Sequence, residues 1–163
     1  MFGLRFLYML ALVVWLGGMI VLGAVVAPST FQVLQALQPE VGRELAGEVF
    51  GTSLARFAWV TYAAAGLMIV TLAIMALLGP RPRPFLVRGL VIAAMLAIAL
   101  YSSGIVANEI EVVQQQAGGP PSRLPATDAR RLRFDQLHAR SEQLMMINVI
   151  GALALLFWEA KKE

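Results

Sequence analysis

The stretch from Phe6 to Ala27, FLYMLALVVWLGGMIVLGAVVA, contains no charged side chain. As a helix rising 1.5 Å per residue it is long enough to cross a hydrocarbon core about 30 Å thick. Two runs of the same length follow, Phe57 to Leu78 and Leu86 to Ala107, and a shorter one covers Leu144 to Trp158. Arg88 is the only charged residue inside any of the four. Ser141, Glu142 and Gln143 lead into the last run without a helix breaker, so its helix continues upstream. The sequence therefore reads as an all-α, integral membrane four-helix bundle. It forms a single transmembrane domain over 1–163, with spans at about 6–27, 57–78, 86–107 and 141–158.

Composition sets the outer limits of this reading. A chain of 163 residues that is 59% hydrophobic and 14% charged has little left for a separate soluble module. A cleaved secretory signal is the competing account of the first run, because Val25-Val26-Ala27 loosely fits a small-residue cleavage pattern. The apolar run is too long for such a signal, only Arg5 precedes it, and Pro28 would follow the cut, so it is retained as a span. The absence of cysteine removes disulfides, thiolate metal sites, thiol nucleophiles and haem-attachment motifs. A net charge of +3 is accounted for by basic residues flanking the spans, and without an accompanying motif no nucleic-acid partner is expected.

Between the spans, Val41, Leu45 and Val49 recur at every fourth position, which predicts an amphipathic interfacial helix over about 39–50, started by Pro39 and Glu40. The first span is expected to end at Pro28. The link Gly79-Pro80-Arg81-Pro82-Arg83-Pro84 reads as a stiff extended connector, because each proline pushes the preceding residue out of helical geometry. A polar outer loop over about 108–127 contains a break at Gly118-Gly119-Pro120-Pro121. Thr127 then reads as the N-cap of a last helix of about 31 residues, some 46 Å long and half outside the hydrocarbon. Arg81, Arg83 and Arg88 crowd the short link between spans two and three. By the positive-inside rule this predicts cytoplasmic termini, in a bacterial inner (plasma) membrane.

The densest polar constellation lies on the last helix, where Arg131, Phe134, Asp135, His138 and Glu142 recur at spacings of three and four and share one face. Either carboxylate is placed to hydrogen-bond the imidazole, and Asn108 and Glu109 emerge from span three nearby. These residues (His138, Asp135, Glu142, Arg131, Glu109 and Asn108) form the candidate polar site. The competing account is an ion-pair row that orients the helix as it enters the membrane. A lone histidine without cysteine is a poor start for a metal site, and eight methionines read as packing residues, so no metal or cofactor is expected. Gly17, Gly18 and Gly23 give helix one a smooth packing surface, with Leu12 read as lipid-facing. Asn148, Gln143, Thr61, Thr71, Ser102 and Ser103 are read as the only polar groups within the membrane, none of them ionisable. Hydrolytic, phosphate-binding and nicotinamide motifs are absent, so no enzyme is expected.

Two stretches carry a family resemblance. One is Trp15-Leu16-Gly17-Gly18, then Ala27-Pro28 and Phe31, leading to Gly42, Gly47 and Phe50. The other is Arg133-Phe134-Asp135-Gln136-Leu137-His138 followed by Ser141. Together they make the chain resemble the transmembrane protein 205-like family of small membrane proteins. The resemblance implies four spans, with eukaryotic members associated with tolerance of platinum drugs, and it supplies no catalytic residues. Two functions remain open. One is a structural or interaction subunit working through its outer polar cap. The other is a transporter or sensor of a small solute or metal complex near His138. The expected partners are the lipid bilayer and either a second copy of the chain or another membrane protein.

Overall fold

The computed structural model describes residues 2–78 and 85–161, and the regular structure among them is entirely helical. Four helices are long and apolar enough to cross a membrane: α1 (Phe2–Leu37), α2 (Gly42–Leu78), α3 (Phe85–Ala117) and α4 (Ala129–Ala160). They alternate in direction, and each packs on the helices before and after it, with α4 closing the square against α1. The start of α1 and the end of α4 therefore lie at one end of the bundle, the terminal end. The turns after α1 and α3 lie at the other, the cap end. The connector read over Gly79–Pro84 lies outside the described residues.

The helices greatly exceed the thickness of a membrane. With 36 and 37 residues, α1 and α2 are each about 55 Å long, against about 30 Å of hydrocarbon. Polar residues concentrate in the cap-end portions, so the excess projects there. Trp59, Tyr62 and Tyr101 mark where it begins, and the Trp59 and Tyr62 rings meet edge to face at 5.8 Å.

Several boundaries differ from those read in the sequence. Helix α1 does not stop at Pro28. A π-helical turn over Leu22–Val26 precedes the proline, with the Ala27 N–H donating to the Leu22 carbonyl. This widened turn lets the chain pass a residue that has no N–H and would crowd the preceding carbonyls of a regular helix. The stretch read as a separate interfacial helix is helical from Gly42, but it forms the first turns of α2, because nothing between Phe50 and Phe57 breaks the helix. Helix α3 contains a second π-helical turn, Ser102–Val106, where the Ser103 hydroxyl donates to the Ala99 carbonyl at 2.8 Å and competes with the main-chain ladder. It ends at Ala117, and Gly118 then takes the left-handed conformation (φ 65°) that glycine adopts without steric cost. The N-cap of α4 is Asp128, not Thr127. The Asp128 carboxylate accepts from the Arg130 N–H at 2.9 Å and from the Arg130 guanidinium, which holds the Asp128 pKa down to about 2.

The main core fills the terminal half of the bundle, where Tyr8, Trp15, Met68, Ile92 and Leu155 are fully buried. Leu12 is also fully buried, so it does not face lipid. The three glycines of α1 play unequal parts. A Cβ on Gly18 would overlap the Phe57 ring of α2, and one on Gly23 would press on Met145 of α4 at 3.2 Å. Gly17 has nothing within 4 Å and marks no crossing. Towards the cap a second, smaller cluster joins α3 to α4 through Val106, Val113 and Leu137. The cap-end portion of α1 has no fully buried residue.

Candidate functional site

The polar row on α4 begins in the first turn of the helix, where Arg131 turns back to donate to the Leu124 carbonyl at 2.7 Å. Phe134 packs against the small cap cluster and stacks nearly parallel on the His138 ring, with centroids 6.1 Å apart. His138 Nε2 lies 3.3 Å from Glu142 Oε1 one turn further on, and both side chains are exposed. Asp135 is exposed as well. Glu109 of α3 pairs with Arg133 of α4, while Asn108 is exposed. The structure thus joins His138 with Glu142, and Glu109 with α4 through Arg133. It does not bring Arg131, Asp135 and Asn108 into the same cluster. Arg140 lies over the Tyr101 ring at 5.4 Å and completes the α3–α4 contacts at this level. Exposed pairs of this kind contribute up to about 1 kcal/mol each, so the row guides docking of the two helices more than it stabilises them.

The cap ends of the two helical hairpins are tied across by one side chain. Arg123, in the loop before α4, donates to the Glu40 carbonyl at 2.9 Å and lies 3.4 Å from the Glu44 carboxylate at the start of α2. Just below the cap, the Tyr62 hydroxyl of α2 is hydrogen-bonded to Ser103 in the π-helical turn of α3. Because Ser103 donates to Ala99, the tyrosine is the donor in this bond. Deeper in the bundle, Asn148 of α4 is buried with its carbonyl oxygen unpartnered. Among the described residues no group of three His, Asp or Glu side chains converges as a metal site.

A second polar cluster, at the terminal end, was not foreseen from sequence. The Arg88 guanidinium of α3 and the Glu159 carboxylate of α4 form an ion pair with side chains only 4% and 3% exposed. Arg5 of α1 donates from Nε to the other carboxylate oxygen of Glu159 at 2.9 Å. Arg5 and Arg88 also reach the Glu159 and Trp158 carbonyls at 3.3 and 3.2 Å, so they cap the last turn of α4 with positive charge. Among the described residues the Arg88 Nε and the Tyr8 hydroxyl are buried there without a partner. The sequence reading placed Arg88 inside an apolar run without giving it a partner, and the structure supplies Glu159. The signal was present in the sequence. Arg88 is the one charge inside an apolar run and needs an acid, and Glu159 directly follows the last apolar run.

A family model described as a domain of unknown function (DUF4149) matches residues 10–118. The match covers most of α1 and all of α2 and α3, and it ends at the αL glycine before the loop to α4. No curated protein and no solved structure matches the chain.

Proposed function

Starting from a chain that belongs to the family with the DUF4149 domain of unknown function, we propose that it is a non-enzymatic membrane subunit that engages a partner protein through its cap. The observation that carries this reading is the length of the helices. All four exceed the hydrocarbon thickness, and their excess forms two helical hairpins on the same side, tied together by Arg123. A bundle that only had to span would end near Trp59 and Tyr101. The core of the membrane half is packed with the fully buried apolar side chains of Trp15, Leu12, Met68 and Ile92, which argues against a pore. Kinship with transmembrane protein 205-like proteins is part of this proposal, because the Trp15–Gly18 and Ala27-Pro28 pattern falls inside the matched residues. The Phe134, His138 and Ser141 pattern falls outside them.

A photo-crosslinking residue placed in cells at exposed Glu48 or Gln136 is expected to yield a protein adduct of defined mass, and one at lipid-facing Leu90 only lipid adducts. Absence of protein adducts from both cap positions, together with His138-dependent solute uptake in proteoliposomes, would favour the transporter or sensor. The buried, unpartnered Asn148 beneath the cap is the observation that supports that alternative. The proposed setting is a bacterial inner membrane with both termini cytoplasmic, based on the arginines at 81, 83 and 88. A cysteine introduced at Gly79 should then resist impermeant maleimide in intact cells and react after permeabilisation. Labelling in intact cells would reverse the topology and place the cap inside the cell.

A further inference from the structure

Among the described residues, the polar cluster at the terminal end holds two guanidinium groups against one carboxylate. Arg5 and Arg88 share a single carboxylate, Glu159, each taking one of its oxygens. The helix dipoles leave this sum unchanged, because two N-termini and two C-termini meet at this end and cancel. The buried Arg88–Glu159 pair is neutral by itself, so the described cluster carries one excess positive charge, on the exposed side at Arg5. An unmatched guanidinium that opens outward at the edge of a hydrocarbon region is placed to take an external anion. Two polar atoms in the same place, Arg88 Nε and the Tyr8 hydroxyl, are buried without a partner among the described residues, and Tyr8 lies within electrostatic reach of both Arg88 and Glu159.

Access is over Arg5. Its side chain is 59% exposed, whereas those of Arg88 and Glu159 are closed off. Phe2 and Phe6, on either side of Arg5 in α1, are 86% and 57% exposed. Apolar rings flanking an accessible guanidinium at the start of a spanning helix suit the boundary between acyl chains and headgroups. There the available anions are lipid phosphates. Lys161, exposed two residues beyond Glu159, adds a further positive charge at this level. We propose that the terminal end is a binding site for the phosphate of an anionic phospholipid headgroup, with Arg5 as the primary contact and the Arg88–Glu159 pair beneath it as the fixed base.

The test uses the full chain in an uncharged maltoside detergent, with thermal unfolding followed as lipid is added. Dioleoyl phosphatidylglycerol near saturation is expected to raise the unfolding midpoint by about 5 °C, and dioleoyl phosphatidylcholine by less than about 1 °C. Arg5→Gln should lose at least about half of the phosphatidylglycerol shift, measured against its own lipid-free midpoint. Arg5→Lys should retain most of it, and Arg133→Gln, at the opposite end, all of it. Equal shifts with the two lipids, or a full shift in Arg5→Gln, would overturn the site. A shift of the same size from inorganic phosphate alone would assign the cluster to a soluble anion and overturn the lipid reading.

Discussion

Replacing Glu159 by glutamine is expected to cost about 3–5 kcal/mol of bundle stability, because it leaves the Arg88 guanidinium buried without its counter-charge. Glutamine keeps the shape of the side chain and one acceptor oxygen. The loss would therefore report charge rather than a cavity. Two consequences separate this from a general weakening of α4. Arg88→Met combined with Glu159→Leu removes both charges together and should fall within about 1 kcal/mol of the parent, since an apolar pair of similar volume avoids the desolvation cost. Arg5→Gln should lose under about 1 kcal/mol, because its guanidinium is largely solvated. Denaturation midpoints in mixed micelles, with Arg88→Met, Glu159→Leu and their double arranged as a cycle, give the coupling directly. A loss below about 1 kcal/mol for Glu159→Gln would show that water or lipid already compensates Arg88, and the pair would then not organise the terminal end.

Such a pair is invisible to local pattern, which explains much of what sequence did and did not convey. Arg88 and Glu159 are 71 positions apart and meet only because α3 and α4 run antiparallel. Their meeting follows from topology, not from any spacing of three or four. The spans themselves were legible because hydrocarbon imposes a length and composition that no local preference overrides. Pro28 misled for the opposite reason. Its usual effect on a helix was absorbed by the π-helical turn at Leu22–Val26, a compensation with no sequence mark of its own. In the candidate cap site, the His138–Glu142 contact was legible as a one-turn spacing on a single helix. The partners of Arg131 and Glu109 come from other elements, the 118–128 loop and α4, and were not. Gly17 and Gly18 are adjacent and chemically identical, yet only the second meets α2, because Phe57 happens to cross there.

The same distinction governs Gly42, where the expected effect is larger because the obstacle is backbone. Gly42 opens α2, and its N–H donates to the Gln38 carbonyl at 2.6 Å, which folds the start of α2 tightly against the end of α1. A Cβ there would overlap the Leu34 carbonyl oxygen and lie 2.5 Å from the Leu34 carbonyl carbon and 2.8 Å from the Gln35 Cα. A side chain can swing aside, as the Phe57 ring can beside Gly18. A helix backbone cannot, so the hairpin turn must open. Gly42→Ala is accordingly expected to destabilise by about 3 kcal/mol, at the upper end of the usual cost of overpacking. Gly17→Ala is the matched control. With open space around it, it should gain up to about 1 kcal/mol from the higher helix propensity of alanine. Opening the turn would also move Glu40 and Glu44 away from Arg123, loosening the tie between the two hairpins at the cap. The distance between spin labels at positions 40 and 123 should therefore be longer in Gly42→Ala than in the parent. If Gly42→Ala and Gly17→Ala instead proved equally stable, α1 and α2 could not approach as closely as the turn at Gln38 requires, and the cap would owe its shape to the Arg123 contacts alone.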